Sequence, residues 1–192
     1  MSDQLTDGPN VDRLIDEIDQ LRGKVAQLQA RVEQLDELAH QDALINLPNR
    51  RGFMRALERF IDRSSRYSEP SAMLYVDLDG LKVINDSFGH QAGDQALIQA
   101  AEMLVGGVRK SDVVARIGGD EFGILLAHSD SEKAHEAAQR LVDVIAERGF
   151  THDGDQLPLS VAIGVTMISP GDTADEVIAR ADEEMYRRKA AA

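Results

Sequence analysis

A heptad repeat in the first segment of the chain limits the structures open to it more than any other feature. The apolar seam consists of Val11, Leu14, Ile18, Leu21, Val25, Leu28, Val32 and Leu35. β-branched residues at the a positions and leucine at the d positions favour a parallel two-stranded coiled coil. We therefore predict a coiled-coil dimerisation stalk over residues 11–40, preceded by a disordered N-terminus over residues 1–10. The alternative is an amphipathic helix folded back on its own domain.

Charged residues beside the seam agree with a parallel homodimer. Glu17 at a g position would meet Arg22 at the e position of a second copy, and Arg31 would meet Asp36 in the same way. Exposed ion pairs contribute little individually, but both pairs have the sign that parallel pairing requires.

The pattern changes after Pro48 to alternating helices and strands, and we assign residues 41–192 to one α/β domain. The glycine pair Gly118-Gly119 indicates a hairpin between two of the strands. Strand patterns cover 71–79, 112–117, 121–127 and 157–168, and helical periodicity covers 50–66, 91–109, 131–148 and 173–190.

The composition excludes several classes of function. A net charge of −13 argues against binding DNA or RNA along the backbone, which requires a basic face. There is no apolar run of the ~20 residues that a membrane helix requires and no signal peptide, so we expect a cytoplasmic protein without membrane insertion. The chain has no cysteine, which excludes disulfides and thiolate metal sites.

Acidic residues cluster at the predicted ends of two strands. Asp77 and Asp79 end the strand at 71–79, and Asp120 and Glu121 follow the two glycines. If these strands are neighbours, the carboxylates converge at one edge of the sheet and provide the oxygen ligands that Mg²⁺ prefers. Gly118 and Gly119 would allow positive φ and leave room for a phosphate or a base. The alternative is a tight turn with solvated acids.

Four motifs together resemble the GGDEF family of diguanylate cyclases. They are "DALINLPNRR" (42–51), "GLKVINDSFGHQAGD" (80–94), "RIGGDEF" (116–122) and "ADEEMYRRK" (181–189). The resemblance implies a fold similar to nucleotidyl cyclases and polymerase palms, with a central, mostly antiparallel sheet covered by helices. It also implies condensation of two GTP into cyclic di-GMP with release of two pyrophosphates. Each subunit of a homodimer would present one GTP, with Mg²⁺ or Mn²⁺ as the cofactor and two ions per active site.

The same resemblance assigns the metal ligands and the catalytic residues. Asp77, the backbone carbonyl of Leu78 and Asp120 would bind the metal. Asp120 or Glu121 would deprotonate or orient the attacking 3′-hydroxyl.

The resemblance further assigns two guanine-reading residues, Asn85 and Asp94. A carboxylate can accept from the adjacent N1–H and N2–H donors of guanine, which adenine lacks, and an amide can both donate and accept. His90 would line the nucleotide site, with packing in a turn as its alternative role. Lys82 and Lys189 would face the phosphates, although Lys189 near the end of the chain could equally be a solvated lysine. Gly118 and Gly119 would make room for GTP.

Arg109 and Asp112 match the RxxD motif of the family's inhibitory product site. Arg109 would bind the guanine or phosphate of cyclic di-GMP, as suits a planar guanidinium group. Arg140 lies where a second arginine of that site is sometimes found, although a solvated helix arginine is an equal alternative. The alternative for Arg109 and Asp112 is a basic residue at a helix C-terminus followed by a turn.

The chain departs from the family pattern at Ile45, Asn46 and Leu81, none of which is a predicted metal ligand or base reader. Two functions of another class remain as alternatives to the enzyme. One is a catalytically silent cyclic di-GMP receptor that uses Arg109 and Asp112. The other is a dimeric signalling adaptor that recruits a regulatory protein partner.

Overall fold

The computed structural model describes residues 8–191, except for the side chains of residues 8–12, 33–35, 37, 38 and 191. The chain divides into two units, Met1–Ala39 and His40–Ala192. The disorder predicted for residues 1–7 and the seam side chains Val11 and Leu35 lie outside what the structure describes.

The described part of the first unit is one long helix, α1 (Gly8–His40). This helix includes residues 8–10, and Pro9 is compatible with it because Pro9 lies in the first turn. The described seam side chains are exposed, from 46% at Ile18 to 65% at Val32. An apolar stripe of this kind is what a coiled coil requires, and pairing with a second copy stays a prediction.

The second unit alternates helices and strands as predicted. Asn49 caps α2 by accepting hydrogen bonds from the backbone N–H groups of Arg51 and Gly52. In chain order the elements are α2 (Arg50–Tyr67), β1 (Ser71–Leu78), α3 (Leu81–Phe88), α4 (His90–Gly106), β2 (Val113–Arg116), β3 (Glu121–Leu126), α5 (Ser131–Arg148), β4 (Phe150–His152), β5 (Asp155–Leu157), β6 (Val161–Ile168) and α6 (Ala174–Ala191).

Four strands form an antiparallel sheet in the order β2-β3-β1-β6. Successive side chains of a strand point to opposite faces of the sheet. Consecutive residues of the central strand β1 are buried, so both of its faces are covered. Leu74 and Val76 pack in the cluster that includes residues of α4 and α5, whereas Met73 and Tyr75 pack with residues of α2 and α6. The predicted α/β fold with an antiparallel sheet covered by helices is confirmed.

Four segments differ from the sequence-based prediction. The strand predicted over 157–168 is interrupted, since Pro158 has no N–H for a sheet ladder, and β5 and β6 lie on either side of it. Helix α4 ends at Gly106 and not at residue 109, because the two successive glycines Gly106 and Gly107 disfavour a helix. Helix α3 and the short hairpin β4–β5 were not predicted.

No helix in the described residues is long and apolar enough to cross a membrane.

Candidate active site

The two acidic segments meet at one edge of the sheet because β1 and β3 are hydrogen-bonded neighbours. Asp77 lies directly opposite Glu121 in the register, and the Leu78 N–H donates to the Asp120 carbonyl at 2.9 Å. The end of β1 and the beginning of β3 therefore bring together Asp77, the Leu78 backbone and Asp120, the residues predicted to bind the metal.

The turn before β3 is shaped by steric room and not by unusual dihedral angles. Neither Gly118 nor Gly119 has a positive φ, so that part of the prediction is wrong. A Cβ at Gly118 would lie 2.0 Å from Glu121 Oε2, whereas a Cβ at Gly119 would have no heavy atom within 4 Å. Gly118 is therefore required for the approach of the Glu121 carboxylate, and the space beside Gly119 is open, as a bound nucleotide would require.

Tyr75 interacts with Glu121, although the sequence alone did not single it out. Tyr75 lies two residues before Asp77 on the same face of β1, is 5% exposed and makes a side-chain hydrogen bond with Glu121. Burial, and then this hydrogen bond, raise the pKa of Tyr75 well above its ordinary value, so the phenol remains a donor.

Lys189 of α6 reaches into the same edge and pairs with two of the acids. Its Nζ lies 2.5 Å from Asp77 Oδ1 and 3.2 Å from Asp79 Oδ1. The hydrogen bond to Asp77 is the largest cause of a raised pKa for Lys189, which holds the ammonium form. Asp79 is also fixed by Ser160, whose hydroxyl donates to Oδ2 at 3.1 Å.

The donor set at this edge fits a hard divalent cation. A positive group already lies against Asp77 and Asp79, and the Asp77 side chain is only 16% exposed, so its charge needs a counter-ion. In the part of the chain that the structure describes, no group of three or more His, Cys, Asp or Glu side chains is arranged to hold a metal. A bound ion would thus depend on the Leu78 carbonyl and on substrate oxygens, as is common for Mg²⁺.

The predicted guanine readers lie on adjacent helices, α3 and α4. A Cβ at Gly93 would lie 2.1 Å from Asn85 Oδ1, so the Asn85 amide rests on the backbone immediately before Asp94. Gly89 joins the two helices with φ of 85°, a conformation that favours glycine. The side chains of His90, Asp94 and Lys82 are exposed.

Arg116 is a second residue with a structural role that the sequence did not reveal. Its Nη2 and Nε donate to the Gly119 carbonyl at 2.7 and 3.2 Å, and its Nη1 lies 3.3 Å from Asp42 Oδ1. Asp42 in turn accepts from the N–H groups of Leu44 and Ile45 at 2.9 Å each. The sequence shows Arg116 within the motif "RIGGDEF", but its partner Asp42 is 74 residues away, so no local pattern predicts their pairing.

The predicted product site lies apart from the acidic edge, in a cavity of about 100 Å³ beside α5. Arg109, Asp112 and Arg140 all line it, together with Lys133 and Glu136. Asp112 also serves the turn, because it accepts from the N–H groups of Arg109 at 2.9 Å and of Ala127 at 3.0 Å. Arg140 donates to the Gly107 carbonyl at 3.0 Å.

The fold and this edge define an α/β domain with a carboxylate site at the end of the central strand of an antiparallel sheet. Residues 39–192 match the family model described as "Diguanylate cyclase, GGDEF domain". The chain belongs to the GGDEF family.

Curated and structural relatives agree with this assignment. The chain is 36% identical over 152 residues to the probable diguanylate cyclase DgcE of Escherichia coli, which covers 79% of this chain and 14% of DgcE. It spans less than half of the length of the curated relatives it matches.

Two solved structures extend the likeness to nearly the whole chain. The diguanylate cyclase SiaD from Pseudomonas aeruginosa, in complex with its activator SiaC, superposes with a TM-score of 0.76 at 28% identity and covers 95% of this chain and 74% of its own. The coiled coil and GGDEF domain of DgcB from Caulobacter crescentus, in complex with c-di-GMP, gives a TM-score of 0.83 and covers 93% of this chain and 95% of its own. At 24% identity, the second comparison bears on the fold alone.

Proposed function

We propose that this protein is a diguanylate cyclase that condenses two GTP into cyclic di-GMP and releases two pyrophosphates. The observation that carries the proposal is the pairing of β1 with β3, which sets Asp77 and the Leu78 backbone against Asp120 beside an open glycine turn. The names of the relatives support the same activity.

Asp77, the Leu78 carbonyl and Asp120 would hold Mg²⁺ or Mn²⁺, with two ions per active site. A bound divalent ion lowers the pKa of a coordinated hydroxyl and offsets charge on the transferring phosphate. Asp120 accepts or orients the proton of the 3′-hydroxyl, and Glu121, fixed by Tyr75, stands beside it.

Recognition of GTP falls mainly to α3 and the first turns of α4. Asn85 and Asp94 read the guanine edge, where a carboxylate can accept two adjacent N–H donors. His90, the first residue of α4, lines the nucleotide site, and Lys82 and Lys189 bind phosphate oxygens. Adenine lacks the adjacent N1–H and N2–H donors that guanine offers to Asp94, so ATP is a poor substrate.

The reaction needs two copies of the chain, because each subunit presents a single GTP. The exposed apolar stripe of α1, from Leu14 to Val32, supports pairing as a parallel coiled coil. Such pairing raises the effective concentration of one half-site near the other.

Product inhibition is assigned to the cavity lined by Arg109, Asp112 and Arg140. Arginine side chains can bind guanine and phosphate with paired hydrogen bonds, and a third cation, Lys133, lines the same cavity. A regulatory protein partner belongs to the same proposal, since the relative SiaD was crystallised with its activator SiaC.

Product analysis tests the proposed activity. The purified chain, stripped of nucleotide, is incubated with Mg²⁺ and either GTP or ATP, and products are separated by chromatography with mass detection. We expect cyclic di-GMP and pyrophosphate from GTP, none from ATP, and none from Asp120→Ala. The control Asp62→Ala removes an equally charged but exposed carboxylate of α2 and should retain activity. Absence of product from a folded, nucleotide-free dimer would contradict the proposal and favour a receptor of cyclic di-GMP.

A further inference from the structure

Lys189 occupies the position where a metal ion and the predicted metal ligand Asp77 would meet. The ammonium group contacts Asp77 Oδ1 at 2.5 Å and Asp79 Oδ1 at 3.2 Å, so one cation is shared by both carboxylates. The lysine side chain is 43% exposed, whereas that of Asp77 is 16% exposed.

A lysine and a divalent ion compete for these carboxylates. A hard divalent cation binds a carboxylate oxygen directly at about 2.0–2.1 Å for Mg²⁺. The ammonium group lies at hydrogen-bond distance from Asp77 Oδ1 and adds a like charge beside an incoming ion. A metal ion could still approach the second oxygen of Asp77, but it would bind against the positive charge of Lys189.

The position of Lys189 in the chain allows it to leave. It lies in the last turn of α6, and its flexible four-carbon stem carries three donors that can turn toward another acceptor. A bound triphosphate has more acceptor oxygens and more negative charge than the two carboxylates. If the proposed function holds, these oxygens would reach the same edge of the sheet.

We propose that Lys189 is the resident counter-ion of Asp77 and Asp79 and that its charge weakens binding of the divalent ion until a triphosphate draws the lysine away. Metal and nucleotide then bind together, and the lysine exchanges a carboxylate partner for a phosphate partner. This inference deepens the proposed function and rests on it for the identity of the triphosphate. The competition at Asp77 itself depends only on the contacts of Lys189.

The test is Mn²⁺ binding to the full chain without nucleotide, measured by the loss of the free-ion signal in electron paramagnetic resonance. Lys189→Met removes the competing positive charge, so Mn²⁺ no longer binds against the charge of Lys189 beside Asp77 and Asp79. We expect Mn²⁺ binding to tighten on the order of tenfold. Lys189→Arg keeps the charge and should bind Mn²⁺ as weakly as the wild type.

Arg188→Met is the matched control. It removes one positive charge from the neighbouring position of α6, where Arg188 contacts Glu184 at 3.3 Å and not Asp77 or Asp79. It should leave Mn²⁺ affinity close to that of the wild type. Circular dichroism and thermal unfolding of each variant establish that the chains compared are folded.

Mn²⁺ binding by Lys189→Met that is no tighter than that of Arg188→Met would overturn the inference. This result is distinguishable from failure of the proposed function, because the titration involves neither GTP nor turnover. A chain that makes no cyclic di-GMP but gains Mn²⁺ affinity in Lys189→Met would contradict the enzyme and support the competition.

Discussion

At the scale of single residues, the acidic edge depends on neighbours that fix each carboxylate. Asp79 is held by Ser160 and Lys189, and Glu121 is held between Gly118 and Tyr75. Carboxylates this close together repel one another unless donors or cations lie between them. The side chains that separate them are therefore as important for the geometry of the site as the acids themselves.

Tyr75→Phe tests whether the position of Glu121 matters for catalysis. The variant removes one hydroxyl from a buried ring and leaves its packing with α2 and α6 unchanged. We expect kcat to fall roughly fivefold, the equivalent of about 1 kcal/mol for one hydrogen bond, with KM for GTP nearly constant. Steady-state kinetics checks this, with Tyr67→Phe as the control because Tyr67 is 67% exposed. An unchanged kcat would show that Tyr75 only fills the core.

The sequence identified the charged residues at this scale but not their supports. Asp77 stands out as an acid at the end of an apolar strand, and Asp120 and Glu121 stand out as paired acids after two glycines. Tyr75 does not stand out, since an aromatic residue within an apolar strand is explained by packing alone. Its partner is set by the β1–β3 register, which only the fold reveals.

At the scale of elements, the site is held together by contacts between segments far apart in sequence. Arg116 links the glycine turn to the segment around Asp42, and the Arg116 N–H donates to the Pro48 carbonyl at 2.9 Å. On the other side, Gln99 of α4 exchanges two hydrogen bonds of 2.9 Å with Thr151 of β4. The first link fixes the glycine turn against the segment before α2, and the second ties α4 to the β4–β5 hairpin.

Arg116→Lys should loosen the turn without removing a charge. Lysine cannot donate in a fork to the Gly119 carbonyl and to Asp42 at the same time. We expect a loss of about 1.5–3 kcal/mol in the free energy of unfolding, measured in urea, together with reduced cyclase activity. Arg59→Lys on α2 is the control, because its side chain is exposed. Equal stability of Arg116→Lys and the wild type would contradict this role.

The anchoring of α6 should depend on pH. Asp172 accepts two hydrogen bonds from Arg180, at 3.0 and 2.7 Å, and these contacts are the largest cause of its lowered pKa. A carboxylate with a lowered pKa in the folded state stabilises the fold above its ordinary value of 3.8, and the contribution is lost as pH falls through the folded-state value. Asp172→Asn should cost about 1 kcal/mol at neutral pH and little once the pH lies below the lowered pKa of Asp172 in the folded state.

Urea unfolding at both pH values measures the difference between Asp172→Asn and the wild type. Asp62→Asn, whose carboxylate is 70% exposed, should show a small difference throughout. A cost for Asp172→Asn that stays constant down to low pH would show that its charge is not what anchors α6.

Elements with strong periodicity were predictable, and short ones were not. Helix α5 has the predicted bounds because five of its side chains, spaced for one face, are buried. Helix α3 has eight residues and no buried side chain, so its pattern is too weak to detect. The β4–β5 hairpin did carry a signal, since Asp153-Gly154 is a typical two-residue turn and both residues have positive φ.

At the scale of the whole molecule, the proposed reaction requires two chains. The described seam residues of α1 are 46–65% exposed, which leaves a long apolar stripe for a partner helix. In the single chain Arg22 pairs with Asp19 at 3.7 Å, an exposed contact that a second helix could replace at little cost. The heptad repeat could be predicted from the sequence because it is a local pattern, whereas the pairing of two α1 helices depends on a second copy of the chain.

Leu21→Glu should separate the two chains. A charge at a d position must be desolvated in the seam, so dimer dissociation and loss of activity per subunit are expected on dilution. Activity should recover as the protein concentration rises. Gln27→Glu adds the same charge at an outward c position and should behave as the wild type. Sedimentation velocity and product assays over a dilution series measure both quantities, and activity of Leu21→Glu that is independent of concentration would contradict a role for the stalk.

The most direct test of the central claim, that two half-sites jointly close the ring, is a subunit-mixing experiment. Wild-type chains and Asp120→Ala chains are exchanged at varied ratios with total protein held constant, and the rate of cyclic di-GMP formation is measured by chromatography. Random pairing predicts that the rate falls as the square of the wild-type fraction, because only dimers with two intact half-sites can form both phosphodiester bonds. A rate that falls in direct proportion to the wild-type fraction would show that each chain acts alone and would contradict the account.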